Sequence, residues 1–346
     1  MNELKQNSVK PGKTLFYDNK IASLKDIFGT RNIELKGDLL IVNNRRYPIV
    51  DDVIILLEPD QYPPALQKRL AGSIKKTAVS ADFAEDIQFT FGSEWQQFPD
   101  ILPEHREEFS QYFDLVNIDD LKHARVCDLG CGIGRWSYFL GDACRELVLV
   151  DFSEAIFVAR RNLRRRDNAI FFMADINCLP FATPFADFLF CLGVLHHMPV
   201  NALATVRKLK SYSPALLIYL YYSLDNRPRF FQVLLSLVTM VRLAVSHVRN
   251  EFFRSVFTSV VAITVYLPLI SLGALLHKMN LRCSVPLYEG YRGKTLARIR
   301  QDVYDRFFTR IEQRFSKKDI AALQDSFKSV VISDTLPYWH FLCKDN

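Results

Sequence analysis

The stretch VCDLGCGIGRWSYFL, beginning at Val126, constrains this chain more than any other. An apolar run and an acid lead into glycines at alternate positions, and a helix-like pattern follows. This reads as a strand, a tight turn and a helix. The pattern then recurs. RVCDL is followed by a helix at about Arg135–Leu140, LVLVD (147–151) by the amphipathic SEAIFVARRNLRRR, and AIFFMAD by FADFLFCLG. NALATVRKLKSY and PALLIYLYY close the series. Strands alternating with helices at this spacing predict a parallel α/β sheet with helices on both faces.

Three ligands could explain the turn. A P-loop needs a lysine after its glycines, and none stands here. A dinucleotide fingerprint needs GxGxxG, whereas Gly130-Cys131-Gly132-Ile133-Gly134 is GxGxG with Asp128 two residues ahead. That spacing suits a nucleoside better than a pyrophosphate. Asp151 ends the second strand, where a carboxylate can accept both hydroxyls of a ribose. Asp175 ends the third, where a carboxylate can accept from the exocyclic amine of adenine. Acids at the carboxyl ends of neighbouring strands line the crevice in which open α/β sheets bind ligands.

With VLVDFS, ADINCLPF and FADFLFCLGVLHHMP, the glycine turn resembles the class I S-adenosylmethionine-dependent methyltransferases, of the type 11-like kind. The resemblance covers roughly residues 90–222, and 329–344 fit the closing β-hairpin of that family. It implies a Rossmann-like, seven-stranded sheet whose last strand is antiparallel. It also implies methyl transfer from S-adenosyl-L-methionine. By position, Asp128, Gly130, Gly132 and Gly134 would surround the methionyl part of this cofactor. Asp151 would take the ribose, Phe152 would lie against the adenine, and Asp175 and Ile176 would address its edge. Leu192 and Gly193 would line the path to the sulfonium.

Blander roles compete with these. Asp151 could cap the next helix, although Ser153 fits that cap better. Asp175 could begin a turn, and Phe152 could be core. His196 and His197 stand at the mouth of the crevice. One of them could act as a base, since imidazole titrates near neutrality, or both could cap the end of the fourth strand. FTFGSEWQQF precedes the fold, with Trp95 as a candidate lid residue or as plain core.

The N-terminal unit is expected to be β-rich. LLIV and VIILL flank a polar link, NNRRYPIVDD, with a turn near Asn43-Asn44. Its YPI turn resembles the small zinc-knuckle domain that accompanies some methyltransferases, but residues 1–126 hold no cysteine, so no metal is expected. The seven cysteines form no CxxC pair and read as free thiols in a reducing compartment. No signal-peptide core follows Met1, so a cytoplasmic protein is expected.

After strand five the alternation stops. FFQVLLSLVTMVRLAVSHV and the charge-free SVFTSVVAITVYLPLISLGALL form a helical insert between strands five and six. The second stretch is long enough to span a bilayer. Arg242 in its partner argues against that, since mid-membrane arginine costs roughly 2.5–3.5 kcal/mol. A lid over the substrate crevice, contact with a membrane surface through 230–276, and a true span are the three readings. The organisation expected is 1–86 as N-terminal unit and linker, 87–224 as core, 225–325 as insert or lid, and 326–346 as closing hairpin. The acceptor expected is a small molecule of lipid-like, hydrophobic or glycan-linked character, methylated on oxygen. RNA methylation and non-catalytic cofactor binding are the rivals. A net charge of +6 is mild, and no aromatic platform for RNA is present, so nucleic acid is not expected.

Overall fold

A computed structural model describes residues 15–70, 83–281 and 284–345. The N-terminal stretch 1–14, residues 71–82 of the expected linker, Cys283 and the side chain of Phe89 lie outside the described residues.

Helix α1 (Ile21–Phe28) leads into an antiparallel meander of β1 (Ile33–Lys36), β2 (Leu39–Val42), β3 (Arg45–Val50) and β4 (Val53–Ile55). The expected turn at Asn43-Asn44 joins β2 to β3 with φ of 48° and 68°, and Asp51-Asp52 repeat it at 48° and 62°. Positive φ at both turn residues matches the twist of paired strands, and Asn and Asp tolerate it. RRYPIV, expected within a polar link, is strand β3, with Tyr47 and Ile49 buried. Pro48 fits because Ile49 N–H points towards β2 and donates to the Asp38 carbonyl. The donor that Pro48 lacks would face β4, which pairs only with Ile49 and Val50.

The chain continues through α2 (Pro64–Leu70), α3 (Phe83–Gln97) and α4 (Glu104–Tyr112). The expected alternation follows: β5 (Arg125–Leu129), α5 (Arg135–Leu140), β6 (Glu146–Asp151), α6 (Ala155–Asn162), β7 (Ala169–Met173), β8 (Phe188–Leu192), α7 (Ala202–Leu209) and β9 (Ala215–Tyr219). These five strands are parallel, and every residue of β5 to β8 is buried. Strands covered on both faces read as continuous apolar runs, which is why the sequence reveals them.

The insert comprises α8 (Arg229–Val245), α9 (Glu251–Val261), a π-helical turn at Ala262–Tyr266, α10 (Leu267–Lys278), α11 (Tyr288–Tyr291) and α12 (Leu296–Phe308). The π turn lies just ahead of Pro268, whose ring would otherwise meet the carbonyl four residues back. α13 (Lys317–Ala321), β10 (Ser329–Ile332) and β11 (His340–Lys344) complete the chain.

The strand order is β1-β2-β3-β4-β7-β6-β5-β8-β9-β11-β10. The seven strands from β5 to β11 carry the Rossmann-like methyltransferase order, with β11 antiparallel between β9 and β10. The sheet does not stop at seven. β4 runs parallel beside β7, so the N-terminal meander extends it to eleven. The apolar helices are also placed differently from expectation. The part of the insert that covers the strand ends is the charged helix α12, with α8 and α9 packed against α12 in turn.

Candidate functional site

The glycine turn leaves β5 at the point where the strand order reverses. Gly130, Gly132 and Gly134 all have positive φ, and a Cβ on Gly130 would stand 2.4 Å from the Val194 side chain. Only glycine fits there. Gly130 and Cys131 donate their amides to the Val150 carbonyl, at 2.7 and 3.0 Å, which folds the turn back over β6.

Asp151 at the end of β6 completes that link. Its Oδ2 accepts Gly132 N–H at 2.8 Å, and its Oδ1 accepts the Ser153 amide and hydroxyl at 2.8 and 2.7 Å. An oxygen with two acceptor positions and one bond keeps one free, so Oδ2 can still take a ligand hydroxyl. Burial raises the Asp151 carboxyl, and these bonds oppose the rise. Neither Asp151 nor Ser153 is the cap of the next helix, which is Glu154, although the Ser153 hydroxyl accepts Ala155 N–H at 3.3 Å.

Asp128 lies inside β5 and is buried. Its Oδ2 accepts the Ser137 hydroxyl at 2.7 Å. Burial pushes its carboxyl up to about 7; the Ser137 bond opposes this and the charge of Asp151 adds to it. Asp175, just beyond β7, is half-buried and accepts from the Asn177 backbone and side-chain amides at 2.8 and 2.9 Å. It therefore starts the 3-10 turn Ile176–Cys178 while remaining at the crevice edge. Phe152 is half-buried against the core, and Ile176 and Leu192 are buried. Gly193 has φ of 82°, and a Cβ there would meet open space.

Trp95 is core beside the glycine turn. It packs on Ile133, Ala155 and Val158, and its indole covers the turn: a Cβ on Gly132 would stand 3.2 Å from the ring. The Arg135 guanidinium lies 5.0 Å from the Trp95 ring and 4.5 Å from that of Trp136.

A second, polar cluster of side chains lies beyond β8 and β9, under α12. His196 and His197 sit in the 3-10 turn after β8, both buried, with ring centroids 4.1 Å apart. His196 stacks on Tyr221 at 3.9 Å, and neither ring nitrogen has a partner among the described residues. Burial and then His197 push its pKa well below 6.5, so it is neutral. His197 Nδ1 lies 2.8 Å from the Ile311 carbonyl oxygen. A carbonyl only accepts, so Nδ1 carries a proton; Nε2 has no hydrogen-bond partner among the described residues and lies 3.7 Å from Asp305. The Tyr221 hydroxyl donates to Asp305.

Several residues of this cluster are not among those the sequence predicts. Glu94 on α3 is buried, and its Oε2 has no partner among the described residues. Burial, and then the charge of Asp305, raise its carboxyl well above 4.5. On α4, Glu108 receives a fork from Arg298 at 2.9 and 3.1 Å and also binds Lys294. Burial alone would raise the Glu108 carboxyl, but these cations outweigh it and hold it at about 2. The pair pins α12 to α4. The one signal in the sequence is LARIRQDVYDRFF, where charges recur between buried Ile299, Val303 and Phe307. Such a helix is not simply solvated, but nothing local says what it faces.

Part of the chain is similar to a methyltransferase domain. The family model for the methyltransferase domain matches residues 126–212, from β5 through α7, which include the glycine turn and all three strand-end acids. Solved structures with similar folds include magnesium protoporphyrin IX methyltransferase from Synechocystis with bound S-adenosylhomocysteine. That pair is 16% identical over 81% of this chain and 93% of that one, with a TM-score of 0.38. A SAM-dependent methyltransferase from Aquifex aeolicus is 22% identical over 37% and 71%, with a TM-score of 0.31. An N-methyltransferase from Bradyrhizobium japonicum, in complex with S-adenosyl-L-homocysteine, is 20% identical over 37% and 71%, at 0.32. The chain spans 59%, 63% and 58% of three further solved chains that it matches. No curated protein matches it.

Proposed function

We propose that this chain transfers a methyl group from S-adenosyl-L-methionine to a hydroxyl oxygen of a small acceptor. The observation that carries the donor half is the set of carboxylates Asp128, Asp151 and Asp175 on three adjacent strands around a turn whose alternate residues, Gly130, Gly132 and Gly134, carry no Cβ. The donor presents a cationic amine, a ribose diol and an exocyclic amine, all of them hydrogen-bond donors. The residues present therefore fit it. Asp128 would meet the amine, Asp151 the ribose, and Asp175 with Ile176 the adenine edge. Phe152 would lie against the ring, and Leu192 with Gly193 would line the way to the acceptor. When bound, this cofactor supplies an electrophilic methyl group on sulfur, and the protein's part is alignment and exclusion of water.

The polar cluster under α12 supports the acceptor half. Glu94, His197, Tyr221 and Asp305 make it polar, so the acceptor is polar at its reacting end whatever its remainder. His197 Nε2 would take the proton of the acceptor hydroxyl as that oxygen is methylated. Asp305 then steadies the imidazolium. α12 keeps water out.

Calorimetry with the donor and turnover of labelled donor on cell extracts test the two halves separately. Label recovered in a small-molecule ether or ester supports the reading. No donor binding overturns the first half. Binding without transfer, or label in RNA, overturns the second.

A further inference from the structure

All but four of the large apolar side chains that stand exposed among the described residues lie between Phe230 and Leu281; the four are Tyr138, Val200, Leu296 and Val331. On α8 the exposed set includes Val233, Leu237 and Met240, and on α9 and α10 it includes Val256, Val260 and Leu272. Most of the strongly polar groups between the helix ends point the other way, and the exposed ones are uncharged, such as Gln232, Ser236, Thr264 and Ser271. Arg242, Ser246, Arg254 and Thr258 are buried. Arg242 donates to the Thr309 and Arg310 carbonyls at 3.0 Å, and Arg254 to the Tyr304 hydroxyl at 3.0 Å. This is the inverse of a helix that faces water. A contiguous exposed apolar face of this size marks a surface that another apolar surface covers.

We propose that α8 and the continuous rod from α9 to α10 form a face that docks into the hydrocarbon edge of a phospholipid bilayer, lying in its plane. The charges favour lipid as the occupant. Exposed Arg, Lys, Asp and Glu occur only at the helix ends: Arg229, Arg249, Glu251 and Lys278. Three of these four are basic, as anionic headgroups require, and Glu251 accepts the Ser93 hydroxyl. A protein partner of comparable size would meet polar groups as well, and between those ends the face offers no charge.

Length alone would allow a crossing. Glu251–Lys278 has 28 residues, and its most apolar 18 residues have a mean hydropathy of 2.1 with 17% of them buried. At 1.5 Å per residue it is about 42 Å long, against about 30 Å of hydrocarbon. Its inner edge decides otherwise. Arg254, Thr258, Ala262, Tyr266 and Gly273 are buried in succession along one side. At Gly273 an added Cβ would stand 2.4 Å from the Tyr288 ring. A spanning helix must leave the protein body, whereas this one is held to it over nearly its whole length. The face is separated from the polar cluster by α12, so the proposal stands whether or not methyl transfer does.

Flotation of the full chain with vesicles of phosphatidylcholine and phosphatidylglycerol tests it, beside the triple variant Leu237→Glu, Val260→Glu and Leu272→Glu. All three positions are exposed, so an unchanged melting temperature shows that the variant folds. The wild type should float, and the variant should bind at least about 1000-fold more weakly, near tenfold per side chain. Failure of the wild type to float overturns the proposal. A dimer without lipid that the variant splits, with no flotation, replaces the bilayer by a second copy. Depth is read by bromolipid quenching of a fluorophore on Phe252→Cys or Leu272→Cys in a Cys178→Ser background. Equal depths support the in-plane placement, and a deep and shallow pair overturns it.

Discussion

Gly132 donates its backbone N–H to the carboxylate of Asp151 across 2.8 Å, joining the turn after β5 to the end of β6. Two features that lie nineteen residues apart in the chain become one site through this bond. Asp151 thereby holds the turn while keeping an acceptor position for a ligand.

Asp151→Ala should weaken S-adenosyl-L-methionine binding by about 10- to 150-fold, from roughly 1.5–3 kcal/mol per charge-assisted hydrogen bond. Calorimetry on the purified variant measures this. Equal affinity in wild type and variant removes Asp151 from the site.

Asp128 makes donor binding depend on pH. Its carboxyl, ordinarily near 3.8, is raised to about 7 by burial. The folded state therefore holds this proton more tightly than the unfolded state. Its contribution to stability is present at low pH and is lost as pH rises between those values, by up to about 4 kcal/mol at 1.36 kcal/mol per unit. A cationic ligand favours the ionised form, so affinity should rise as pH increases through 7. Asp128→Asn still accepts from Ser137 and should flatten both profiles. A wild-type affinity independent of pH from 6 to 8, as read by titration, would count against this role.

Glu94 carries the same sign of effect without an ion pair to offset it. Its folded carboxyl is raised well above 4.5 by burial and by Asp305. Stability from the protonated form is present at low pH and falls as pH climbs above the ordinary carboxylate range. Glu94→Gln should therefore melt progressively higher than wild type as pH rises. Thermal denaturation across that range decides it, and a variant that melts lower at pH 8 shows that the ionised carboxylate has a stabilising partner.

His197 should separate chemistry from donor binding. His197→Gln is expected to lower kcat by roughly 10²- to 10⁴-fold, the range for a positioned base, while donor affinity stays within twofold. Steady-state kinetics with calorimetry test this. An unchanged kcat means that the acceptor is nucleophilic without a base.

The core was legible from sequence because its signals are local. RVCDL, ELVLVD, AIFFM and FLFCL are buried on both faces, so each is a continuous apolar run at strand length. Glycines with positive φ and acids at strand ends are local as well. β3 was not legible: Arg45 and Arg46 place a charge on each face at its start and Pro48 interrupts it, and only pairing with β2 shows it to be a strand.

The sequence by itself determined the parallel core, the glycine turn and the carboxylates at Asp128, Asp151 and Asp175, because periodicity and turn chemistry act over a few residues. Tertiary structure alone decided what faces what. The N-terminal meander joins the sheet because an edge strand, β7, offers unpaired backbone groups to β4. Glu94, Glu108, Arg298 and Asp305 meet because α3, α4 and α12 converge over β8 and β9 from positions some two hundred residues apart. The apolar side of α8 to α10 faces outward because α12 takes up their polar side. Hydrophobic periodicity records which side of a helix is apolar, but whether that side meets protein, water or lipid depends on what the rest of the chain has already covered.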